Sequence, residues 1–259
     1  ISVAYYALDA RYMAAMSRAI DRADRAAHYD SLFEQVRDHF RRIYCNAEGD
    51  LNPEVRTQTG YLLALRNDLL LPERRPAAVA ALKQKIIDNG YKLSTGFVGS
   101  CILNEVLAEF GENDLAYSLL LQTENPSWLY SVHQGATTIW ERWNSYTKET
   151  GFGDVGMNSF NHYAYGAVQE WMYRHIAGIE TTEQAPGFAH PILQPKPDTR
   201  SAEEIPAGQE KITWVRTSFA SPVGLIESAW DMTDGFTYTW YRSKTGADGS
   251  WQQVTGQAV

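Results

Sequence analysis

The chain has 259 residues, of which 44% are hydrophobic and 21% are charged, an ordinary globular composition. This length is enough for one large domain, or for one domain with a small partner. The net charge is -8, and no run of Lys and Arg forms a basic face for a phosphate backbone, which argues against nucleic acid as a partner. No apolar stretch reaches the roughly 20 residues that a spanning helix needs, so we expect no membrane crossing.

Cysteine and histidine usage gives no sign of a metal centre. Cys45 and Cys101 lie far apart in sequence and predict neither a disulfide framework nor a metal cluster, which leaves the redox compartment open. The six histidines include no pair at a metal-ligand spacing with acidic neighbours, and no glycine-rich phosphate loop is present. We therefore expect no metal site and no obligatory cofactor.

The chain starts at Ile1 and enters directly into a helical pattern with no leader, so we expect it to be the middle of a longer protein. Apolar residues spaced on one helix face predict a helix over residues 3–20. A second pattern runs from Leu32 to Tyr44 and carries charged residues on its other side. This second helix is amphipathic and is expected on the outside.

Buried and amphipathic patterns then alternate along the chain. The apolar or inner segments are 57–71, 96–111 and 161–176, and the outer segments are 76–87 and 113–121. Such alternation is what a two-layer helical barrel requires, and about seven or eight helices can be counted. A repeat solenoid would alternate too, but no fixed period separates the segments. The sequence therefore predicts a mainly α fold built as a helical barrel.

The pattern changes after Gly178, where a stretch with five prolines has no helical periodicity. Beyond it, β-branched and aromatic runs at 211–219 and 235–243 predict a small antiparallel β unit that packs on the helices. We predict helical residues 1–178 and a linker with a β domain over 179–259.

One loop-rich stretch, 127–166, concentrates the side chains suited to chemistry. It holds Glu141 and His162 among many aromatic residues, including Trp128, Trp140 and Trp143. A pyranose offers an apolar C–H face for stacking and a rim of hydroxyls for hydrogen bonds, so aromatic rings beside carboxylates indicate a carbohydrate site. Gln58, at the start of a buried helix, is a further candidate donor to a sugar hydroxyl.

Each candidate has a purely structural alternative. Glu141 follows Thr138 at the spacing of a capping box, so it can close the N-terminus of a helix. His162 can be a core histidine, and the three tryptophans can be packing residues. Other carboxylates of the region are expected to be solvated or turn-forming, with the last as the reserve candidate for orienting water: Glu124, Glu149 and Asp154.

Four motifs carry a family resemblance: STGFVGS (94–100), GATTIWERWNS (135–145), NSFNHYAYG (158–166) and SPVGLIESAW (221–230). They resemble the bacterial alpha-L-rhamnosidases of glycoside hydrolase family 78. The resemblance runs from about Ser2 to Trp230 and implies an (α/α)6 barrel of twelve helices followed by a C-terminal antiparallel β domain. It also implies removal of terminal L-rhamnose from glycosides or polysaccharides with inversion, with Glu141 as general base and His162, Trp140 and Trp143 at the sugar.

An inverting glycosidase needs two carboxyl groups roughly 6.5 to 9.5 Å apart. The acidic motif that the family uses as general acid is absent from this chain, and the helix count falls short of twelve. We therefore expect about the C-terminal two thirds of the barrel, with the acid on the missing N-terminal part or on another chain. The final stretch, 237–259, departs from the closing strands that the resemblance implies, so we expect the β domain to be altered or incomplete there. Two alternatives stay open: a catalytically silent carbohydrate-binding or scaffold fragment, and a barrel glycosidase for another sugar.

Overall fold

The computed structural model describes residues 1–233, 237–243 and 252–253, and it begins with a helical hairpin. Helix α1 spans Ser2–Ala19 and helix α2 spans Ala23–Tyr44. The buried face of α1 consists of small residues at helical spacing: Ala4, Ala7, Ala10, Ala14 and Ser17. Because these side chains are short, α2 can approach α1 closely along its length.

Helix α3 spans Gln58–Arg66, and helix α4 spans Arg75–Asp88 with a proline in its first turn. The hydroxyl of Thr57 accepts a hydrogen bond from the Gly60 amide, which caps the N-terminus of α3. Nearly every side chain of α3 from Tyr61 onward is buried, as the all-round apolar pattern predicts.

The segment predicted as one helix over 96–111 is two helices, α5 at Phe97–Ser100 and α6 at Leu103–Glu109. The Ile102 amide bonds to the Gly99 carbonyl, so the backbone makes a tight turn between them. Helix α7 follows at Asn113–Leu120, after a turn in which Gly111 has a φ of +84°. The end of the predicted segment 96–111 at Gly111 is thereby confirmed, because glycine readily adopts the left-handed conformation that ends a helix.

Two helical segments flank the aromatic-rich stretch. Helix α8, Trp128–His133, was not expected from periodicity and is capped by the Ser127 hydroxyl, which accepts from the Tyr130 amide. After the loop, the segment 164–176 is continuous but irregular, with a 3-10 turn, helix α9 at Val168–Trp171 and a π turn. Trp171 of this segment is fully buried in the main core, beside Tyr117.

Short strand pairs and one larger sheet make up the β structure of the described residues. Strands β1 (Tyr146–Thr147) and β2 (Gly151–Phe152) pair, as do β3 (Ile179–Glu180) and β4 (Ile192–Leu193). The antiparallel sheet runs in the order β5, β6, β7, β8, at Trp214–Ser221, Gly224–Asp231, Thr237–Ser243 and Gln252–Gln253. The mainly α fold with a small antiparallel sheet at its C-terminus is confirmed, whereas the prediction that residues 237–259 are altered or incomplete lies largely outside the described residues.

The sheet docks onto the last helical segment. The indole N–H of Trp230 donates to the Ile176 carbonyl at 2.7 Å, and the Ser228 hydroxyl donates to the Ala177 carbonyl at 2.6 Å. Trp230 is 2% exposed and belongs to the same apolar core as the helices. The boundary that we propose at Gly178 therefore separates two parts that share a core.

Candidate active site

Tyr165 lies at the centre of the aromatic cluster. The ring of Trp143 stacks on it with centroids 3.7 Å apart and an interplanar angle of 18°. Trp128 meets Trp143 edge to face at 5.5 Å, and its indole N–H donates to the Tyr165 carbonyl at 2.8 Å. Trp128 is 8% exposed, so most of its surface is used in packing. Trp143 is half-buried and has more surface available.

Trp140 belongs to a second group of rings within the same loop. It packs edge-on against Phe160 at 5.3 Å and against Tyr146 at 6.5 Å. All three tryptophans line one cavity of about 380 Å³, together with mostly apolar side chains of α7, α8 and the segment 164–176. The loop thus places the predicted tryptophans together, and their contact with a sugar stays a prediction.

Glu141 is anchored across the loop by the backbone of Ser159. The Ser159 amide donates to Oε2 of Glu141 at 2.8 Å, and the Glu141 amide donates to the Ser159 carbonyl at 2.9 Å. Residues 137–145 contain no helix start, and the Thr138 hydroxyl donates to the Phe160 carbonyl instead. The capping-box interpretation of Thr138 and Glu141 is therefore wrong: the carboxylate is fixed by a second loop segment.

The negative charge of Glu141 acts on the aromatic cluster. The pKa of the Tyr165 phenol is raised, mainly by burial and further by Cys101 and Glu141. Glu141 is half-buried and is not among the residues that line the tryptophan cavity, so the carboxylate lies beside this cavity. An apolar cavity next to a fixed carboxylate can hold a sugar face while the carboxylate meets its polar edge.

His162 lies on the same pair of loop segments as Glu141. Its amide donates to the Ile139 carbonyl at 2.8 Å, which extends the pairing between 138–141 and 159–162. Its ring stacks on Phe97 with centroids 4.7 Å apart, and the Ala164 amide donates to Nδ1 at 3.4 Å. The ring is half-buried rather than enclosed in the core. Glu141 and His162, distant in sequence, are therefore brought to one place.

Gln58 is placed differently from the aromatic candidates. It is 2% exposed, its Nε2 donates to the Lys92 carbonyl at 3.2 Å and its Oε1 accepts from the Ser94 amide at 2.9 Å. The nitrogen and the oxygen of the Gln58 side-chain amide therefore both bond to the backbone of the loop that leads to α5. Contact between Gln58 and a sugar stays a prediction, and these bonds would have to open for it.

The other carboxylates have local partners. Asp154 Oδ1 accepts from the Gly156 amide at 3.0 Å, which is a turn-forming contact. Glu124 pairs with Lys92 at 2.5 Å, and this hydrogen bond lowers the pKa of the exposed Glu124 carboxyl. Glu149 is exposed.

Three residues of the site were not singled out from the sequence. Tyr165 and Ser159 lie in the NSFNHYAYG motif, and Phe97 lies in the STGFVGS motif. The sequence signal that could have identified these three residues was their position in two of the motifs that carry the family resemblance. Their roles depend on ring stacking and on a backbone amide, neither of which has a sequence pattern.

Metal and membrane features are absent from the part of the chain that the structure describes. No three His, Cys, Asp or Glu side chains there could hold a metal ion together. None of the described helices combines the length and the apolar character needed to cross a membrane.

The chain is similar in sequence to curated alpha-L-rhamnosidases. An alpha-L-rhamnosidase of Formosa agariphila is 40% identical over 232 residues, which is 90% of this chain and 24% of that protein. One from Streptomyces avermitilis is 38% identical over 235 residues, 91% of this chain and 21% of that protein. The chain thus spans less than a quarter of the length of these curated relatives.

Solved structures show the same relationship. The crystal structure of Streptomyces avermitilis alpha-L-rhamnosidase complexed with L-rhamnose superposes with a TM-score of 0.82 at 38% identity, covering 95% of this chain and 22% of that one. The native alpha-L-rhamnosidase of Aspergillus terreus gives a TM-score of 0.81 at 29% identity, covering 97% and 28%. The fold is therefore shared along nearly the whole chain.

Two family profiles match consecutive parts of the sequence. The profile described as the bacterial alpha-L-rhamnosidase 6 hairpin glycosidase domain matches residues 1–176, and that of the bacterial alpha-L-rhamnosidase C-terminal domain matches residues 178–241. The resemblance inferred from the motifs is confirmed: the chain belongs to the bacterial alpha-L-rhamnosidase family.

Proposed function

We propose that the protein containing this chain removes terminal alpha-L-rhamnose from glycosides or polysaccharides by an inverting mechanism, with Glu141 as the general base. The substrate class is supported by relatives named alpha-L-rhamnosidase at 36% to 40% identity. The observation that carries the residue assignment is the fixed position of Glu141, bonded to the Ser159 amide beside a cavity lined by tryptophans.

The geometry of Glu141 suits a base that acts on water. Its Oε2 accepts the Ser159 amide, whereas no described residue donates a hydrogen bond to Oε1. Oε1 is therefore available to accept a hydrogen bond from a water molecule and then its proton. As the proton moves to Glu141, the water oxygen forms its bond to the anomeric carbon, and the bond to the leaving oxygen breaks on the opposite face.

The leaving oxygen needs a proton from a second group. In an inverting site this acid lies roughly 6.5 to 9.5 Å from the base. We propose that the acid belongs to the part of the barrel outside this chain, or to another chain. The much greater length of the relatives supports such a partner. In this proposal the chain alone is a very poor hydrolase.

The proposal is tested by release of p-nitrophenol from p-nitrophenyl alpha-L-rhamnoside. This chain is compared with the longer protein that contains it, each with and without Glu141→Gln. The matched control is Glu149→Gln, an exposed carboxylate in the same loop region. We expect activity only in the longer protein, falling about 10²- to 10⁴-fold in Glu141→Gln and unchanged in the control.

Product stereochemistry and substrate choice complete the test. Proton NMR of the first product should show the inverted anomer, and a retained anomer would contradict the inverting mechanism. Activity of Glu141→Gln close to that of the parent protein would remove Glu141 from the base role. Cleavage of another p-nitrophenyl glycoside in preference to the rhamnoside would favour the alternative of another sugar.

Binding without cleavage is the second candidate function. It is favoured by one observation, which is that the tryptophan cavity is lined mostly by apolar and aromatic side chains that can stack on a sugar ring without a second carboxylate. Inactivity of both the chain and the longer protein, together with L-rhamnose binding that Trp143→Ala weakens, would support it.

A further inference from the structure

A second cavity lies where the segment 164–176 meets the β sheet. Its volume is about 530 Å³, within the roughly 300 to 1,000 Å³ of typical small-molecule pockets. It shares no lining residue with the tryptophan cavity beside Glu141. Its lining combines three aromatic rings with charged groups: Tyr173, Phe188, Phe219, Glu170, Arg174 and Glu180. We call it the junction pocket.

The apolar side of the junction pocket is a fixed aromatic wall. Phe219 of β5 meets Phe188 with centroids 4.7 Å apart and Tyr173 edge-on at 5.8 Å. The Tyr173 hydroxyl donates to the Ser218 carbonyl at 3.2 Å, which holds that ring against the sheet. All three rings are half-buried, so each presents part of its surface to the pocket.

Phe188 is held in a backbone conformation that large side chains avoid. Its φ is +63°, directly after Gly187 at +70°. The Thr181 hydroxyl bridges this turn, donating to the Ala185 carbonyl at 2.9 Å and accepting from the Phe188 amide at 3.4 Å. Left-handed conformations at bulky residues are costly and occur preferentially at binding sites, where the surrounding contacts enforce them.

The polar side of the junction pocket has both signs of charge. Arg174 bonds to Glu105 at 2.9 Å, to Glu170 at 3.3 Å and to Glu180. These carboxylates fix the guanidinium, and the two that line the pocket, Glu170 and Glu180, outnumber it, so the rim repels anions. The Glu170 side chain remains 62% exposed and can accept further hydrogen bonds.

We propose that the junction pocket binds a neutral pyranose ring at a site separate from the Glu141 site. Sugar hydroxyls both donate and accept, so they can bond to the Glu170 and Glu180 carboxylates and to Arg174 together. The apolar C–H face of the ring can lie on the wall of Tyr173 and Phe219. This inference stands on the pocket's own lining and goes beyond the proposed function.

Calorimetric titration of the 259-residue chain tests this inference. The probes are L-rhamnose and D-galactose as neutral sugars, D-galacturonate as an anionic sugar and adenosine as a non-sugar with aromatic and polar groups. The variants are Tyr173→Ala and Glu170→Ala in the junction pocket and Trp143→Ala in the tryptophan cavity. The matched control is Glu183→Ala, an exposed carboxylate of the neighbouring loop that does not line the pocket. Circular dichroism checks that each variant is folded.

We expect a neutral sugar to bind, with affinity falling about tenfold in each pocket variant, equivalent to about 1.4 kcal/mol, and unchanged in Glu183→Ala. The inference is overturned by absence of sugar binding, by preference for galacturonate or adenosine, or by binding that responds to Trp143→Ala and not to Glu170→Ala. The Glu170 side chain is exposed, so its variant remains informative if Tyr173→Ala does not fold. Hydrolysis by the longer protein and its Glu141→Gln variant tests the proposed function independently.

Discussion

A fully buried ion pair lies in the segment that leads from the last helical residues to strand β5. Arg200 and Asp198 have side chains that are 1% and 0% exposed. The guanidinium bonds to both Asp198 oxygens, at 2.8 and 2.7 Å, and to Ser118 Oγ of α7 at 3.2 Å and Gln209 Oε1 at 2.8 Å. We predict that Arg200→Met destabilises the chain strongly, because it leaves the Asp198 carboxylate buried without its cation.

The magnitude follows from what remains around Asp198. After the substitution, the described donors are two backbone amides, of residue 200 at 3.3 Å and of Ile212 at 3.1 Å. Removing one partner of a buried ion pair costs about 3 to 5 kcal/mol, a large part of a typical unfolding free energy. The double substitution Asp198→Asn with Arg200→Met removes both charges and keeps an acceptor for Ile212. It should recover about 1 to 3 kcal/mol relative to Arg200→Met alone.

Urea unfolding followed by tryptophan fluorescence and by circular dichroism measures these free energies. The four proteins are the parent, the two single variants and the double variant, which form a double-mutant cycle. An Arg200→Met variant within about 1 kcal/mol of the parent would refute the reasoning, as would additive single effects in the cycle.

Three further predictions concern single positions. Gly178→Ala should cost at least about 2 kcal/mol in urea unfolding, because Gly178 has a φ of +73° and an added Cβ would lie 2.1 Å from the Pro195 nitrogen. Burial raises the pKa of the Tyr117 phenol, so stability should fall as pH rises above the ordinary value of about 10. Tyr117→Phe removes the hydrogen bond to the Lys196 carbonyl, which should lower the free energy of unfolding by about 1 kcal/mol at neutral pH. Between about pH 8 and about pH 11, however, the free energy of unfolding of this variant should fall less than that of the parent, and an equal fall would contradict the prediction. Burial also raises the pKa of the Cys101 thiol, so peptide mapping should show slower alkylation of Cys101 at about pH 8 in the folded chain than in urea, and equal rates would refute it.

Long helices with clear periodicity were predicted closely from the sequence. The helix predicted over 3–20 is Ser2–Ala19, and the one predicted over 76–87 is Arg75–Asp88. Their apolar residues recur on one face, and this spacing is a property of the sequence alone. The break between α5 and α6 was missed, since the turn at residues 101–102 is supported by a distant contact. There the Cys101 thiol donates to the Ala164 carbonyl at 3.2 Å.

The candidate site was predictable as a set of residues and not as a geometry. The motifs identified Glu141 and His162, but their proximity depends on backbone bonds between 138–141 and 159–162. Any residue except proline supplies a backbone amide, so the Ser159 contact has no sequence signature. Helix α8 was missed because it has only six residues, too few to show periodicity, although its Ser127 cap was visible.

The segment 164–176 links the sheet to the candidate site. The segment 164–176 is bonded at its first turn by the Trp128 indole to Tyr165, and at its last turn by the Trp230 indole to Ile176. One end therefore belongs to the aromatic cluster and the other to the sheet. A 3-10 turn and a π turn replace regular α-helix at the two ends of the segment. Few hydrogen bonds of the regular α-helical kind therefore hold the segment in place without outside contacts. The position of Tyr165 beside Glu141 then depends on both indole anchors, which gives a physical reason for the helical and β parts to form one unit.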